Sequence, residues 1–366
     1  MAMSQRFAAA LLAAGAALTL GGPAAAAPPR DQQWYLDRIG IPQAHALTTG
    51  QGVLVGMFQS AVDTGDPDLA GRVRPAQYVG SGGDIKPRPA GAESAAARAI
   101  GTGLTGLVVA RGGTGPLGVA PGAAIQPING PVGAEKVSQA LRWLVDRGAK
   151  VIDMSGGFTV DDDTERIDGI NYALAKDVVV IVDARRADRL PEGATTGVLV
   201  VGGVTDETER DGTASFGSRI DLSAPGATLG LVGLTGERSS GRPYGPIAAQ
   251  GDLQACAITA GVVALVRARH PELNAASVID RLLGTATDAG PPGPDSTYGA
   301  GVVDADAALT TDRPAVTANP LGDPGPPDSD GLLARYGVAL AAVAAGFVVA
   351  AVVVLVLTMR RRRRRG

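Results

Sequence analysis

Short apolar runs alternate with amphipathic stretches through the middle of the chain. The runs with the length of buried strands cover residues 53–58, 151–154, 178–182 and 198–201, with one more near Ile125. Helical spacing or helix-favouring composition predicts helices over 95–111, 134–147, 164–176, 254–269 and 275–286, the last capped by Asn274. Strands that alternate with helices form a mostly parallel sheet covered by helices on both faces. The pattern therefore predicts a three-layer α/β domain.

The expected position of any ligand site follows from this architecture. In open parallel sheets, ligands bind beyond the carboxyl ends of the strands. We therefore expect the chemistry of this domain just after Phe58, Met154 and Val182. The helix starts near Ile100 and Leu253 should lie at the same edge.

The two ends of the chain carry export and membrane signals. Residues 1–26 contain Arg6, an apolar run and a small-residue exit, which is typical of a secretory signal peptide. Residues 336–359 include 23 uncharged residues in a row, long enough for a transmembrane helix. The six arginines that follow, in the tail 360–366, predict a cytoplasmic C-terminus and an extracellular domain. They are better explained by topology and contact with anionic lipid than by nucleic-acid binding.

Between these signals lie the residues of one large domain, 27–311. Segment 312–335, rich in proline, glycine and aspartate, is expected to be a semi-rigid linker. The net charge of −3 does not indicate a nucleic-acid partner, and Cys256 is the only cysteine, so no intrachain disulfide can form. No motif indicates a cofactor or a metal. Asp161, Asp162 and Asp163 are interpreted as a helix N-terminus, because calcium-loop spacing is absent.

Several phrases in order resemble the subtilisin-like serine peptidases, the subtilases. The phrases are GQGVLVGMFQSAVDTGDPDLAGRV, ARAIGTGLTGLVVA, GPLGVAPGAAI, LVDRGAKVIDMSGG, FGSRIDLSAPGATL, GDLQACAITAGVVALVRARHPELNAASVIDRLLGTATD and YGAGVVDADAAL. The outer layout is similar to that of the mycosins, the membrane-anchored subtilases of type VII secretion. The resemblance implies a subtilisin-like fold, an extracellular serine endopeptidase as ancestor, and a secretion complex as partner.

The residues that would carry the family's chemistry are replaced in this chain. The positions that match the catalytic Asp, His and Ser are Gln59, Ile100 and Leu253, and the oxyanion Asn aligns approximately with Arg186. Peptide hydrolysis by this route needs a nucleophilic oxygen, an imidazole and an orienting carboxylate. In subtilisin, loss of the Ser or the His alone lowers turnover about 10⁶-fold. The sequence therefore predicts an inactive member, a pseudopeptidase.

Substitute catalytic residues are hard to find. His45 and His270 are the only histidines. His270 lies fourteen residues after Cys256, about 21 Å along a helix, beyond hydrogen-bonding distance. His45 precedes the first strand and is expected at its amino end, either on the surface or bonded locally. Cys256 is expected to be a small buried residue, with pairing between molecules as the lesser alternative.

Three polar features leave alternatives open. Asp153 and Ser155 either line a substrate groove or form the turn that ends their strand. The stretch with Arg185, Arg186 and Arg189, mixed with Asp183 and Asp188, is interpreted as a solvated loop. The alternatives are a plug of the oxyanion pocket and contact with an acidic partner. Three functions remain: a scaffolding pseudopeptidase, an active serine endopeptidase with displaced catalytic residues, and a module that binds a peptide in the old groove.

Overall fold

The structure of the protein is a computed structural model. It describes residues 29–323, except for 60, 90, 92, 114, 130–133, 157–163, 190–194, 207, 210–218, 228–230 and 238–240. The signal peptide, the transmembrane helix, the arginine tail and the helix-start aspartates at 161–163 lie outside the described residues. They remain predictions from the sequence.

An eight-stranded sheet forms the centre of the domain, with strand order β3-β2-β4-β1-β5-β6-β7-β8. All neighbouring strands are parallel except β3, which runs antiparallel to β2 at one edge. The strands are β1 (Leu54–Phe58), β2 (Gln77–Val79), β3 (Ile85–Pro87), β4 (Ala124–Asn129), β5 (Ala149–Asp153), β6 (Val179–Asp183), β7 (Leu199–Val204) and β8 (Leu222–Pro225). A separate antiparallel pair consists of β9 (Val232–Glu237) and β10 (Arg242–Pro246).

Helices cover both faces of the sheet. They are α1 (Trp34–Arg38), α2 (Ile41–His45), α3 (Ala95–Val109), α4 (Ala134–Asp146), α5 (Thr164–Ala175), α6 (Ala184–Ala187), α7 (Gly251–Arg269), α8 (Ala275–Gly284) and α9 (Ala305–Thr310), after a 3₁₀ turn at Pro29–Gln32. Successive side chains of β6 point to opposite faces, as the pleat requires. Val179 and Ile181 pack in the core shared by α3 and α7, whereas Val180 and Val182 pack in the core shared by α4 and α5. The predicted three-layer α/β fold is confirmed.

Helix α7 is the central helix of this core. Among the described residues it is the one helix long and apolar enough to cross a membrane, yet 89% of its apolar stretch is buried inside the domain. Its burial is explained by its position between the sheet and α3, with which it shares the larger core. It is therefore a core helix of the domain.

The elements missed from the sequence are short or lie at edges. Strands β2, β3 and β8 contain three or four residues each, and both β3 and β8 end at a proline, Pro87 and Pro225. Helix α7 begins at Gly251, three residues before its predicted start. The N-cap role of Asn274 is confirmed, because its side chain accepts a hydrogen bond from Ser277 N at the start of α8.

Residues 312–323, which we name the C-terminal strap, pack along the amino ends of the last strands. Arg313 forms an ion pair with Asp280 of α8 at 2.8 Å. Ser277 and Val316 exchange two hydrogen bonds, each of 2.9 Å. Asn319 donates to the carbonyl of Gly197, just before β7, at 2.9 Å. The packed domain thus extends past residue 311, into the segment predicted as a linker.

Candidate functional site

The carboxyl ends of β1, β5, β6 and β7, together with the starts of α3 and α7, form one edge that we name the cleft end. Gln59 directly follows β1 and is 2% exposed. Its backbone N–H donates to the carbonyl of Ile128 at 3.0 Å. A Cβ on Gly156, after β5, would lie 1.9 Å from the carbonyl oxygen of Phe58 and 2.9 Å from Gln59 Nε2. Gln59 is therefore enclosed by the turn that follows β5.

Ile100 lies in the second turn of α3 and is half-buried against the larger core. The helix start is clamped to the loop after β1. A Cβ on Gly101 would lie only 1.7 Å from the carbonyl oxygen of Ala61, so a side chain there would force the two segments apart. Thr102 Oγ1 accepts a hydrogen bond from Asp63 N at 2.8 Å. The glycine at position 101 thus brings Ile100 close to the residues that follow Gln59.

Leu253 is the third residue of α7 and is also half-buried against the larger core. The start of α7 is held tightly at the carboxyl end of β7. Asp252 Oδ1 accepts a hydrogen bond from Gly203 N at 2.7 Å, and a Cβ on Gly203 would lie 2.7 Å from the carbonyl carbon of Gly251. The structure therefore places Leu253 at the cleft end, with an isobutyl group and no nucleophilic oxygen.

Arg186 is anchored where β6 gives way to α6. Asp183 ends β6, is fully buried, and caps α6 by accepting a hydrogen bond from Arg186 N at 3.0 Å. The Arg186 guanidinium donates from Nε to Asp183 Oδ2 at 3.2 Å and from Nη2 to the carbonyl of Ser155 at 3.0 Å. The interpretation as a solvated loop was wrong for Asp183 and Arg186, whereas Asp188 and Arg189 are exposed. Asp183 ends an apolar strand, and its desolvated carboxylate holds the guanidinium across the ends of β5 and β6.

Asp153 and Ser155 form the turn that ends β5. Both residues are fully buried, and Asp153 Oδ1 accepts a hydrogen bond from Ser155 N at 2.8 Å. Asp153 Oδ2 has no hydrogen-bond partner among the described residues. Burial raises the pKa of Asp153 to about 6, and the negative charge of Asp183 acts in the same direction. The hydrogen bond supports the strand-ending turn rather than an open groove wall.

Cys256 faces the same acidic residues from α7. It is fully buried, as expected for a free cysteine of this kind. Burial raises the pKa of its thiol well above the ordinary value, and the negative charges of Asp153, Asp183 and Asp252 raise it further. Since the thiolate is the nucleophilic form, Cys256 is an unreactive thiol at neutral pH.

Both histidines lie away from the cleft end and bond to backbone carbonyls. His45 Nε2 contacts the carbonyl oxygen of Val119 at 2.8 Å, before β4, and burial lowers its pKa. His270 follows the last residue of α7, and its Nε2 contacts the carbonyl oxygen of Leu309 at 3.0 Å. The 19-residue helix separates His270 from Leu253 by about 25 Å. The local bonding predicted for His45 is confirmed, and neither imidazole can serve a nucleophile at the cleft end.

The acidic residues at the cleft end do not form a metal site. The part of the chain that the structure describes contains no cluster of three or more His, Cys, Asp or Glu side chains able to hold a metal ion. Sequence reasoning missed the buried polar side chains of Asp252 and Gln254. The signal in the sequence was this polar pair at the start of an otherwise apolar helix. In the structure, the first turn of that helix packs against Gly203 at the end of β7.

A mostly parallel sheet whose central strands end at the starts of two core helices is the architecture expected of a subtilisin-like fold. The chain belongs to the subtilase family, since the peptidase S8 subtilase model matches residues 50–301. This assignment confirms the resemblance read from the sequence.

The chain is similar to fervidolysin of Fervidobacterium pennivorans, with 30% identity over 76% of this chain and 44% of that protein. The crystal structure of fervidolysin, described as a keratinolytic enzyme related to subtilisin, aligns with a TM-score of 0.66 and 25% identity, covering 81% of this chain and 48% of that one. The chain thus spans about half the length of that relative.

The chain is also similar to mycosin-1 of Mycobacterium tuberculosis, with 30% identity over 76% of this chain and 73% of that protein. The crystal structure of MycP1 without its N-terminal propeptide aligns with a TM-score of 0.62 and 25% identity, covering 77% of this chain and 98% of that one. Another MycP1 structure is described as coming from the ESX-1 type VII secretion system. The similarity to the mycosins is thereby confirmed.

Proposed function

We propose that this subtilase is a pseudopeptidase, anchored in the membrane with its domain outside the cell, that acts by binding or scaffolding a partner. The observation that carries the proposal is the position of Arg186. Its guanidinium bonds to Asp183 and to the Ser155 carbonyl, at the position matched to the oxyanion Asn. Arg186, Gln59, Ile100 and Leu253 thus occupy the four matched positions, and none of them performs the role that acyl transfer requires there.

The chemistry at the cleft end supports binding over turnover. Hydrolysis needs a proton acceptor beside the nucleophile. The two imidazoles of the chain are bonded to carbonyls elsewhere, and the buried thiol of Cys256 has a raised pKa. No observation favours an active peptidase with displaced residues. A peptide-binding module in the old groove is the second candidate, and its support is that the surrounding scaffold is retained.

The partner we propose is a component of a type VII secretion complex. The support is the similarity to mycosin-1 and to MycP1, together with the predicted signal peptide and the span at 336–359. Affinity purification of the tagged chain from membranes of its own host should recover secretion-system proteins. Their absence, with recovery intact in a parallel purification of a known membrane complex, would overturn the choice of partner and leave the pseudopeptidase proposal standing.

The absence of catalysis has a direct test. The purified chain should not react with a fluorophosphonate probe and should not cleave casein, whereas an active subtilase treated in parallel should do both. Stoichiometric labelling at one serine would show that a displaced nucleophile exists.

Restoring the three matched residues together, Gln59→Asp, Ile100→His and Leu253→Ser, should still give little peptidase activity. The reason is that the Arg186 guanidinium, at the position of the oxyanion donor, donates to Asp183 and to the Ser155 carbonyl instead. Loss of an oxyanion donor lowers turnover about 10²- to 10³-fold. Efficient cleavage by this triple variant would contradict the role given to Arg186. Adding Arg186→Asn to the triple variant is the matched comparison and should raise any residual rate.

A further inference from the structure

A cavity of about 510 Å³ opens beside the cleft end. Its walls come from three parts of the fold: the loop 61–64 after β1, the segments next to the edge strands β2 and β3, and the first turn of α3. The side of the edge strands is apolar and stiff, because Pro75, Pro87 and Pro89 line it. Nothing in the proposed function uses this cavity.

The cavity is held in shape by contacts between its walls. Arg88, after β3, forms an ion pair with Glu93, just before α3, and both side chains are at most 14% exposed. The backbone N–H of Arg88 donates to the carbonyl of Ala76 at 2.9 Å. The loop after β1 is fixed to α3 by the hydrogen bond from Asp63 N to Thr102 Oγ1. These bonds make the cavity a preformed site rather than a gap between mobile loops.

The charges that line the cavity are not all compensated. Glu93 is occupied by Arg88. Arg98 also lines the cavity, half-buried on the first turns of α3. Its guanidinium makes no ion pair or hydrogen bond with any other residue in the described parts of the chain. The nearby N-terminal end of the α3 dipole adds positive potential at the same place.

The remaining acidic group restricts the kind of anion that fits. Asp63 lines the same cavity, and its Oδ1 already accepts a hydrogen bond from Gly65 N at 3.1 Å. A carboxylate in the same cavity as Arg98 disfavours a phosphate dianion or a nucleic acid. It can instead accept a backbone N–H from an extended peptide. A fitting ligand offers a carboxylate to Arg98, a backbone N–H to Asp63 and an apolar surface to the prolines. An acidic peptide segment has all three.

We infer that this cavity binds a peptide segment of a partner protein through an Asp or Glu side chain paired with Arg98. The inference extends the proposed binding role but does not use the matched catalytic positions. Ala61, which contacts the start of α3, also lines the cavity, so the site lies next to the matched positions without including them. It could exist on an active or an inactive subtilase.

The single buried cysteine makes the test specific. Because Cys256 is fully buried and its thiol pKa is raised, a thiol introduced by Thr64→Cys at the exposed rim of the cavity can be labelled selectively with an environment-sensitive dye. The full-length chain in detergent is titrated with three short peptides of sequence Ala-Pro-X-Pro-Ala, in which X is Glu, Gln or phosphoserine. A dye on the rim reports the cavity and not the arginine tail, which would also attract acidic peptides.

The Glu peptide should give a saturable dye response, and the Gln peptide should bind about tenfold more weakly because it cannot form the ion pair. Arg98→Ala should weaken the Glu peptide by about the same factor and leave the Gln peptide unchanged. Arg98→Lys should restore part of the affinity, and Arg269→Ala, an exposed arginine at the far end of α7, should change nothing.

Equal affinity for the Glu and Gln peptides, or no effect of Arg98→Ala, would overturn the inference. Tighter binding of the phosphoserine peptide than of the Glu peptide would overturn the ligand class, since Asp63 would then not act as proposed. A circular dichroism melt of each variant shows that it is folded. Failure of this test would not contradict the pseudopeptidase proposal. Labelling by a fluorophosphonate would contradict that proposal but not the peptide site.

Discussion

The two ends of the sheet differ in how far their buried polar groups are paired. At the cleft end, Gln59 Nε2, Asp153 Oδ2 and Gln254 Oε1 are buried without a hydrogen-bond partner among the described residues. At the amino end, Arg267 leaves only its Nε unpartnered and bonds through its other nitrogens to Asp177 and to the carbonyl of Leu273, and the strap exchanges paired hydrogen bonds with the domain. An unpaired buried polar group costs stability, whereas a paired one contributes to it. The amino end therefore stabilises the fold, and the cleft end carries an energetic cost of the kind that functional sites retain.

Breaking the amino end should have the largest effect on stability. Arg267 is buried, donates to Asp177 Oδ2 at 3.1 Å and to Asp177 O at 2.7 Å, and holds that residue in a left-handed conformation with φ of 62°. Arg267→Ala should lower the free energy of unfolding by about 3 kcal/mol, because it removes three hydrogen bonds of a buried guanidinium and the packing of its side chain. Urea unfolding measures the change. The exposed neighbour Arg269→Ala is the control and should lose no more than about 0.5 kcal/mol; equal losses would contradict the division between the two ends.

Removing a charge from the cleft end should stabilise the protein. Asp153→Asn keeps the oxygen that accepts from Ser155 N and removes the buried charge. Because the pKa of Asp153 is raised to about 6 in the fold and lies near 4 in the unfolded chain, the fold loses stability as pH rises through this interval. The variant should gain about 2 to 3 kcal/mol at pH values above 6 and nothing below about pH 4. Asp37→Asn, on an exposed turn of α1, is the control. A gain in the free energy of unfolding of the Asp153 variant that does not depend on pH would show that the buried charge is not its cause.

A smaller loss should follow from loosening the strap. Asn319 donates to the Gly197 carbonyl at 2.9 Å and accepts from Leu321 N at 3.0 Å. Asn319→Ala should lower the free energy of unfolding by about 1 kcal/mol. Hydrogen exchange of the Gly197 amide, which donates to Leu321 O, should accelerate. Thr317→Ala, exposed in the same strap, should leave both measurements unchanged. An unaltered exchange rate in the Asn319 variant would show that the strap is held by Arg313 and Ser277 alone.

The apolar pattern predicted the centre of the fold because buried parallel strands are continuous apolar runs. Strands β1, β5, β6 and β7 are all recognisable in this way. The pattern missed β3 and β8 because edge strands are short and end at Pro87 and Pro225.

Topology also explains why the matched positions fall at one edge of the sheet. Gln59, Ile100, Arg186 and Leu253 follow strand ends or begin helices there, which the sequence order alone implies. The burial of Asp183 was not predictable in this way. A charged residue at a strand end is normally solvated, and only the packing of α6 and α7 over it removes the water.

The strap also fixes the point from which the predicted span at 336–359 would be tethered to the domain. Its last described anchor, Leu321, is fixed beside the amino end of β7. The predicted span begins at residue 336, so fifteen bonds of chain at most about 3.6 Å each limit the tether to about 54 Å. The cleft end lies on the far side of a sheet whose strands are about 20 Å long. The predicted span would therefore be attached at the end of the domain opposite the cleft, by a tether long enough for the cleft to face a partner in the bilayer or above it.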